Sequence, residues 1–421
     1  MLVSLRYHDY RRLWLASLFA GGAAWALIVA RGWLVYTISG SSMWVGLVTF
    51  AAMAPMFLTP LIAGYLADKF NRKKMLASLF VVQLGHNIVL AILAFQGSLE
   101  IPHIVLLSFV NGCARASQVP ATQALLPNLI PKEHLLNAIS LNVATLQGSR
   151  LIGPALIAPL MATVGPEYAF ALCTLMYLFS FLITLSIKTV SVGQIDTNQS
   201  ATQNFFAGLT FVYRHPLILP LVLTTLFHCC LTMSFESLLP SVSEKLFTNG
   251  GAGATYLMMA VGAGALCLVL ITANIKGMAT RGRFLLLAGL ISGLSPIFLG
   301  LSSNQYMALA SCALMGGAQA SYMAIAGAVV QEAAPDAIRG RVMSVYIWHM
   351  GSTMAAFNLI NATIADTVGF GLVLGISGLV FVFIMLFSVK NKFLRNLYIH
   401  GTLYQNDNDR KNTVIAETVS K

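Results

Sequence analysis

Charge is what this sequence has least of. Asp, Glu, Lys and Arg make up only 9% of the 421 residues, against about 25% in a soluble domain. Hydrophobic residues reach 57%. No soluble core needs that much apolar surface, so the composition excludes an ordinary soluble protein and points to the membrane. The cysteines are few and uninformative as ligands. Cys113, Cys173, Cys229, Cys230, Cys267 and Cys312 all lie in apolar runs without zinc spacing, which excludes a disulfide framework and leaves them as small hydrophobes. A phosphate-binding loop is missing too. The stretch "GGAGAT" at 250–255 lacks the Lys and Ser/Thr that hold phosphates and metal, so the chain is not expected to pump with ATP by itself. Neither a nucleophile constellation nor a cluster of His and acids is visible, so no enzyme, no cofactor and no metal are expected.

What the sequence has is long apolar runs. A membrane-crossing helix needs about 20 mostly apolar residues, and such runs recur at 13–37, 43–67, 75–96, 103–127, 138–162, 167–187, 216–240, 252–275, 283–301, 304–330, 342–364 and 368–389. Twelve helices joined by short loops leave no room for a folded soluble domain. Arg11-Arg12 before the first run resembles a targeting signal, but the run is long and many follow, so it reads as an uncleaved first span.

The net charge of +11 sits in short clusters between apolar runs, not on one patch, so no nucleic-acid partner is expected. Alternate loops and tails hold Arg6, Arg11, Arg12, Lys69, Arg72, Lys73, Lys74, Lys132, Lys188, Arg214, Lys276, Arg281, Arg283, Arg339 and Arg341; the opposite set holds Lys245. By the positive-inside rule both termini are expected in the cytoplasm, with the protein in the inner (plasma) membrane.

The longest polar stretch, about 188–215, begins as a flexible linker, "VGQIDTNQSATQ", and ends in "NFFAGLTFVYRHP". The second piece is amphipathic and is expected either to lie on the inner membrane face or to extend span seven. The expected organisation is a six-helix bundle over 1–187, a linker with a short helix over 188–215, a second six-helix bundle over 216–395 and a tail over 396–421. The halves echo each other: "NRKKML" after span two matches "TRGRFL" after span eight, and "PKEHLLNAISL" before span five matches "PDAIRGRVMSV" before span eleven. Two related halves with a site between them near the bilayer midplane is a common transporter plan.

One stretch carries a sharper signal. "GYLADKFNRKK" at 64–74 places Gly64, Asp68, Lys69, Arg72, Lys73 and Lys74 where span two leaves the membrane. It resembles the signature of the major facilitator superfamily between spans two and three, departing from it at Asn71, where the family has glycine. Asn tolerates a left-handed backbone, so the turn is expected to survive. The resemblance implies an all-α membrane fold of twelve transmembrane helices in two pseudo-symmetric bundles. It also implies a cytoplasmic gate in which Asp68 faces the N-terminus of span eleven near Arg339 and Arg341. A glycine at 64 would let helices approach closely. "PATQALLPNLIPKEHLLNAISLN", "GPALIAPL", "GAGATYLMMAVGAGAL" and "RGRVMSVY" are similar to the drug-and-siderophore exporter branch, which includes macrolide efflux pumps and enterobactin exporters.

Ionisable residues inside spans are costly and mark function. Glu236 in span seven is expected to couple transport to protons, or else to form a static pair with Arg31 or be wetted from outside. His228, eight residues earlier, is expected on a similar face of an unbroken helix and is the second proton candidate. His86 and His349 read as packing residues. Arg115 either binds substrate or pairs within its half, and Arg31 either faces the cavity or snorkels outward. Arg150 is expected to hold helices together beside Gly153 and Pro154, where span five would bend. Gln118, Gln319, Tyr322 and Asn358 are candidates for polar cavity contacts, with Trp25, Trp33, Phe227 and Met233 as an adaptable lining. Three arginines against one glutamate would make the interior positive, favouring an anionic or zwitterionic substrate over a cationic dye. The expected function is proton-coupled efflux of a small amphiphilic molecule, drug-like or siderophore-like, by a monomer in the bilayer. Uptake symport, lysolipid transport and a non-transporting receptor are the alternatives.

Overall fold

The computed structural model describes residues 3–57, 59, 70–189, 201–335 and 338–403, and the side chains of 132, 136, 140, 143 and 201–205 are not described. The described secondary structure is entirely helical. The first half contains α1 (His8–Ser39), α2 (Ser42–Met53, continued by a 3-10 turn Ala54–Phe57), α3 (Arg72–Phe95), α4 (Ile101–Leu125), α5 (Lys132–Thr163) and α6 (Pro166–Ser186). The connecting helix is α7 (Ala201–Arg214). The second half contains α8 (Ile218–His228), α9 (Leu239–Leu246), α10 (Gly250–Thr272), α11 (Met278–Gly300), α12 (Gln305–Ala333), α13 (Arg339–Val368) and α14 (Phe370–Ser388), followed by the short α15 (Lys392–His400).

Eight described segments are both long and apolar enough to cross a membrane: α1, α3, α6, the stretch Ile218–Leu246, α10, α11, α12 and α14. Helices α4, α5 and α13 have 25, 32 and 30 residues. At 1.5 Å per residue they are long enough to cross a hydrocarbon core of about 30 Å. Each carries polar residues that face the protein interior: Ser108 and Asn111 on α4, Ser149 and Arg150 on α5, and Asn358 and Asn361 on α13 are all buried. The expected span 43–67 is described only as far as Phe57, apart from Thr59, and Gly64, Asp68 and Lys69 lie outside the described residues.

Helix ends follow local chemistry. Asn249 and Asn304 cap α10 and α12 by accepting from the backbone N–H of Ala252 and Met307, each at 3.0 Å. Asn71 does the same for α3, accepting from Lys74 N at 3.1 Å. Its φ of −62° corrects the expectation of a left-handed turn residue: Asn replaces glycine here as a helix cap.

The two halves meet along two helix pairs, α2 with α13 and α5 with α10. The contacts depend on small residues. A β-carbon on Gly46 of α2 would overlap Ala362 and the Asn358 carbonyl of α13. Within the first half, one on Gly153 would overlap the Gly22 carbonyl of α1. Pro154 follows directly, and α5 continues through it to Thr163.

Burial is not symmetric along the bundle axis. One continuous core runs through the first half and takes in the parts of the second half farthest from the chain termini, including Leu238, Val242, Leu257, Met315, Ala362 and Leu374. The remainder of the second half, including Val222, Val329, Tyr346 and Leu397, forms a separate core at the end that carries the termini. The halves are therefore joined at the distal end and have separate cores at the terminal end.

Candidate functional site

The expected seventh span is not one helix. Helix α8 stops at His228, passes through a π-helical turn over Cys229–Met233, leaves helical geometry at Ser234 (φ −87°, ψ 55°) and resumes as a 3-10 turn over Glu236–Leu238 before α9. Breaking a helix inside a membrane frees backbone groups that must bond within the protein. Amide side chains from two neighbouring helices meet that need. Gln319 Nε2 donates to the Thr232 carbonyl at 2.7 Å. Asn361 Nδ2 donates to the carbonyls of Cys230 at 3.4 Å and Ser234 at 3.1 Å. Asn358 Oδ1 accepts from Ser237 N at 3.3 Å, and the Ser237 hydroxyl donates to the Asn358 carbonyl at 2.9 Å.

The break has a chemical consequence. It turns Glu236, only 6% exposed, toward Arg150 of α5 in the other half, with Oε1 3.4 Å from the Arg150 Nη2. Among the described residues Glu236 is the one buried acid. The Arg150 guanidinium also lies 4.7 Å from the Trp25 ring centre and 5.9 Å from that of Phe235. Arg115, partly exposed, lies 5.5 Å from the same Trp25 ring. Two guanidiniums from α4 and α5 thus share one indole from α1, a favourable use of the ring's negative faces. Arg31 is 3% exposed and donates from Nη1 to the Ser108 hydroxyl at 2.8 Å and from Nε to the Leu27 carbonyl at 3.2 Å. It does not snorkel outward, and it is not the partner of Glu236.

Two other expectations are corrected, those for His228 and Tyr322. His228 does not share a face with Glu236, because the helix between them is broken; its Nε2 lies 2.9 Å from the Ser292 hydroxyl and its ring stacks on Tyr322 at 4.3 Å. Tyr322 is packed in the separate core of the second half instead of offering a cavity contact. Gln319 and Asn358 are occupied by the broken helix. Gln118 accepts from Gln83 Nε2 at 3.3 Å. His349 bonds the Val345 carbonyl and the Tyr213 hydroxyl of α7, at 2.8 and 3.1 Å. At the terminal end, Arg72 donates to the Ala124 carbonyl at 2.9 Å, and Arg339 to the Gln331 carbonyl at 2.9 Å. These two bonds stay within one half, and the contact expected between Asp68 and the start of α13 lies outside the described residues. Lys73 is partly exposed and Lys74 exposed, while the Arg341 backbone lies against Gly208 of α7.

At the distal end the bonds cross between halves. Tyr36 donates to Glu244 at 2.7 Å, and Asn249 Nδ2 donates to the Ala162 carbonyl at 2.9 Å. Asp366 accepts from the backbone of Ser42 and Met43 and from the Ser41 hydroxyl. A pocket of about 340 Å³ lies between these groups, lined in part by Tyr36, Glu244, Lys245 and Asp366. Asp366 was visible in the sequence only as an acid near a span end. Asn361 was missed altogether, although a second Asn three residues after Asn358 in an apolar run marks one polar face of the helix.

Residues 1–398 match the family model described as transmembrane secretion effector, a major facilitator group. The chain belongs to this family. Its relatives include the Staphyloferrin A transporter of Staphylococcus aureus (strain NCTC 8325 / PS 47), 22% identical over 90% of this chain and 94% of that protein. The multidrug efflux pump Tap of Mycolicibacterium fortuitum is 24% identical over 84% of this chain and 88% of its own. The enterobactin exporter EntS of Shigella boydii serotype 18 is 24% identical over 80% of each. Among solved structures, a mutant of the nucleoside transporter NupG superposes with a TM-score of 0.75 at 10% identity, covering 91% of this chain and all of that one (100%). A POT family transporter in complex with 5-aminolevulinic acid gives 0.74 at 11% identity, covering 92% and 96%. The chain is a multi-pass membrane transporter of this fold, not an enzyme.

Proposed function

We propose that this transporter is a proton-driven exporter of a small amphiphilic molecule. It acts as a twelve-span monomer of the inner (plasma) membrane with both termini in the cytoplasm, so the joined distal end is the outer side. The observation that carries the proposal is the buried Arg150–Glu236 pair, which links α5 of one half to the broken helix of the other. Such a pair is sensitive to motion between the halves. When the outer side opens, α5 draws away from the broken helix and water reaches Glu236. A carboxylate that loses its guanidinium in a low-dielectric interior is neutralised by a proton from the outer medium. Return to the inward-facing form brings Arg150 back, displaces the proton toward the cytoplasm and restores the arrangement described above. Substrate leaves on the outward stroke. The efflux relatives support the outward direction, and the positive loops support the orientation.

The test is transport in proteoliposomes with an imposed pH gradient, using a panel of macrolides and siderophores. Flux of at least one compound should rise with the gradient and collapse when a protonophore dissipates it. Flux that runs equally well with no gradient would contradict proton coupling.

A further inference from the structure

The interior charge does not balance. Arg31, Arg115 and Arg150 lie in the first half within the membrane region, and Glu236 is the one buried acid among the described residues. Arg150 takes up Glu236. Arg31 is held by a serine hydroxyl and a backbone carbonyl, neither of which carries charge. Arg115 is partly exposed, and what lies against it is the Trp25 ring. A positive interior of this kind calls for a mobile counter-charge.

The hydrogen-bond pattern locates where that counter-charge belongs. Two buried N–H donors on adjoining side chains, Trp25 Nε1 and Arg150 Nε, have no acceptor. Buried donors are normally paired. Here both belong to the Trp25–Arg150 contact, the same contact that Arg115 reaches from the other helix. What these three side chains leave unpaired at their contact is N–H donors and positive charge, beside an apolar ring. The buried amide oxygens without a donor, Gln83 Oε1, Asn87 Oδ1, Asn111 Oδ1 and Gln319 Oε1, belong to side chains other than these three. The chemistry complementary to the Trp25 cluster is an oxyanion carried on an aromatic or otherwise flat apolar body.

We infer that Arg115, Trp25 and Arg150 form an oxyanion seat for the transported molecule, which is an amphiphilic anion bearing a carboxylate or an equivalent acidic oxygen group. The inference rests on the transporter reading above. Arg115, the accessible cation, meets the anion first. The indole carries its apolar part and turns its N–H to the acid group. Arg150 adds its unused Nε–H as the halves shift, so the substrate acid and Glu236 compete for one guanidinium. Arg31 stands behind as a fixed positive charge that raises affinity for any anion without touching it.

Binding, not flux, is the test, so that failure of proton coupling and failure of the seat are distinguishable. The full chain is placed in nanodiscs of zwitterionic lipid, with empty nanodiscs correcting for partition. Equilibrium dialysis at neutral pH then compares naphthoate with naphthylmethylammonium, which share a ring and differ in charge. Wild type should bind the carboxylate at least about tenfold more tightly than the cation, the scale of one charge-assisted hydrogen bond. Arg115→Gln should abolish that preference, Arg115→Lys should keep part of it, and Trp25→Phe, which retains a ring but loses the N–H, should weaken naphthoate alone. Size-exclusion profiles establish that each variant is folded. Equal or cation-favouring binding, no saturable naphthoate binding, or an unchanged preference in folded Arg115→Gln would each overturn the proposal.

Discussion

Asp366, in the last turn of α13, caps the first turn of α2 in the opposite half: its carboxylate accepts from Ser42 N at 2.7 Å and from Met43 N at 3.0 Å. The first turn of any helix leaves N–H groups without intrahelical partners, and an acid is well suited to them. Here the cap comes from the other half of the transporter. The contact therefore exists only while the distal ends are together, which makes it a latch and not merely a local stabiliser.

Replacing Asp366 by Ala should loosen that latch. A lost cap is worth about 1 kcal/mol, which shifts a two-state equilibrium roughly fivefold toward the distal-open form. Spin labels at the exposed positions Thr37 and Thr367 would read it as growth of a longer distance population. Asp366→Asn, which keeps an acceptor oxygen, should fall between wild type and Asp366→Ala.

Arg150 and Glu236 should show coupled stability. Removing one partner of a buried pair leaves the other charge alone, at a cost of about 3–5 kcal/mol. Arg150→Met and Glu236→Gln should each lower stability to denaturant in detergent, and the double variant should be more stable than the sum of the two single losses predicts. Strict additivity would show that the two side chains do not interact.

Asn361→Ala should destabilise the break in the seventh span. The substitution strips the donor from the Cys230 and Ser234 carbonyls, and bonds of this kind between membrane helices contribute about 0.6–2 kcal/mol. The measurement is thermal unfolding in detergent, with hydrogen exchange expected to rise selectively over 229–238. A uniform rise across the chain would argue against a local clamp.

Gly153→Ala should force α1 and α5 apart, because the added carbon would strike the Gly22 carbonyl. Overpacking at a close helix contact costs about 1–3 kcal/mol. The unfolding temperature should drop, whereas Ala at Gly148, where an added β-carbon meets nothing within 4 Å, should be neutral or better.

The fold was legible because membrane helices advertise themselves. The expected span 103–127 corresponds to Ile101–Leu125, 304–330 to Gln305–Ala333 and 368–389 to Phe370–Ser388. The amphipathic piece before Pro216 is α7, which packs against α13 in the second half. The site was legible only as a list. Burial of Glu236 could be read from the apolar run around it, but its partner lies 86 residues away in sequence, and no local pattern names Arg150. The break in the seventh span was invisible for a related reason. "CCLTMSFES" holds no Pro or Gly, so nothing local demands an interruption; the amides of Gln319, Asn358 and Asn361, more than 80 residues downstream, stabilise it. Helical periodicity therefore gave the wrong relation between His228 and Glu236.

The most direct test of the account is gradient-driven flux in proteoliposomes of wild type and Glu236→Gln, reconstituted from monodisperse protein at equal density. With a substrate that wild type accumulates against its gradient when the pH difference is imposed, the glutamine variant should lose the response to the pH difference while still equilibrating substrate down its own concentration gradient. Equal pH-driven accumulation by both proteins would contradict the role assigned to the Arg150–Glu236 pair.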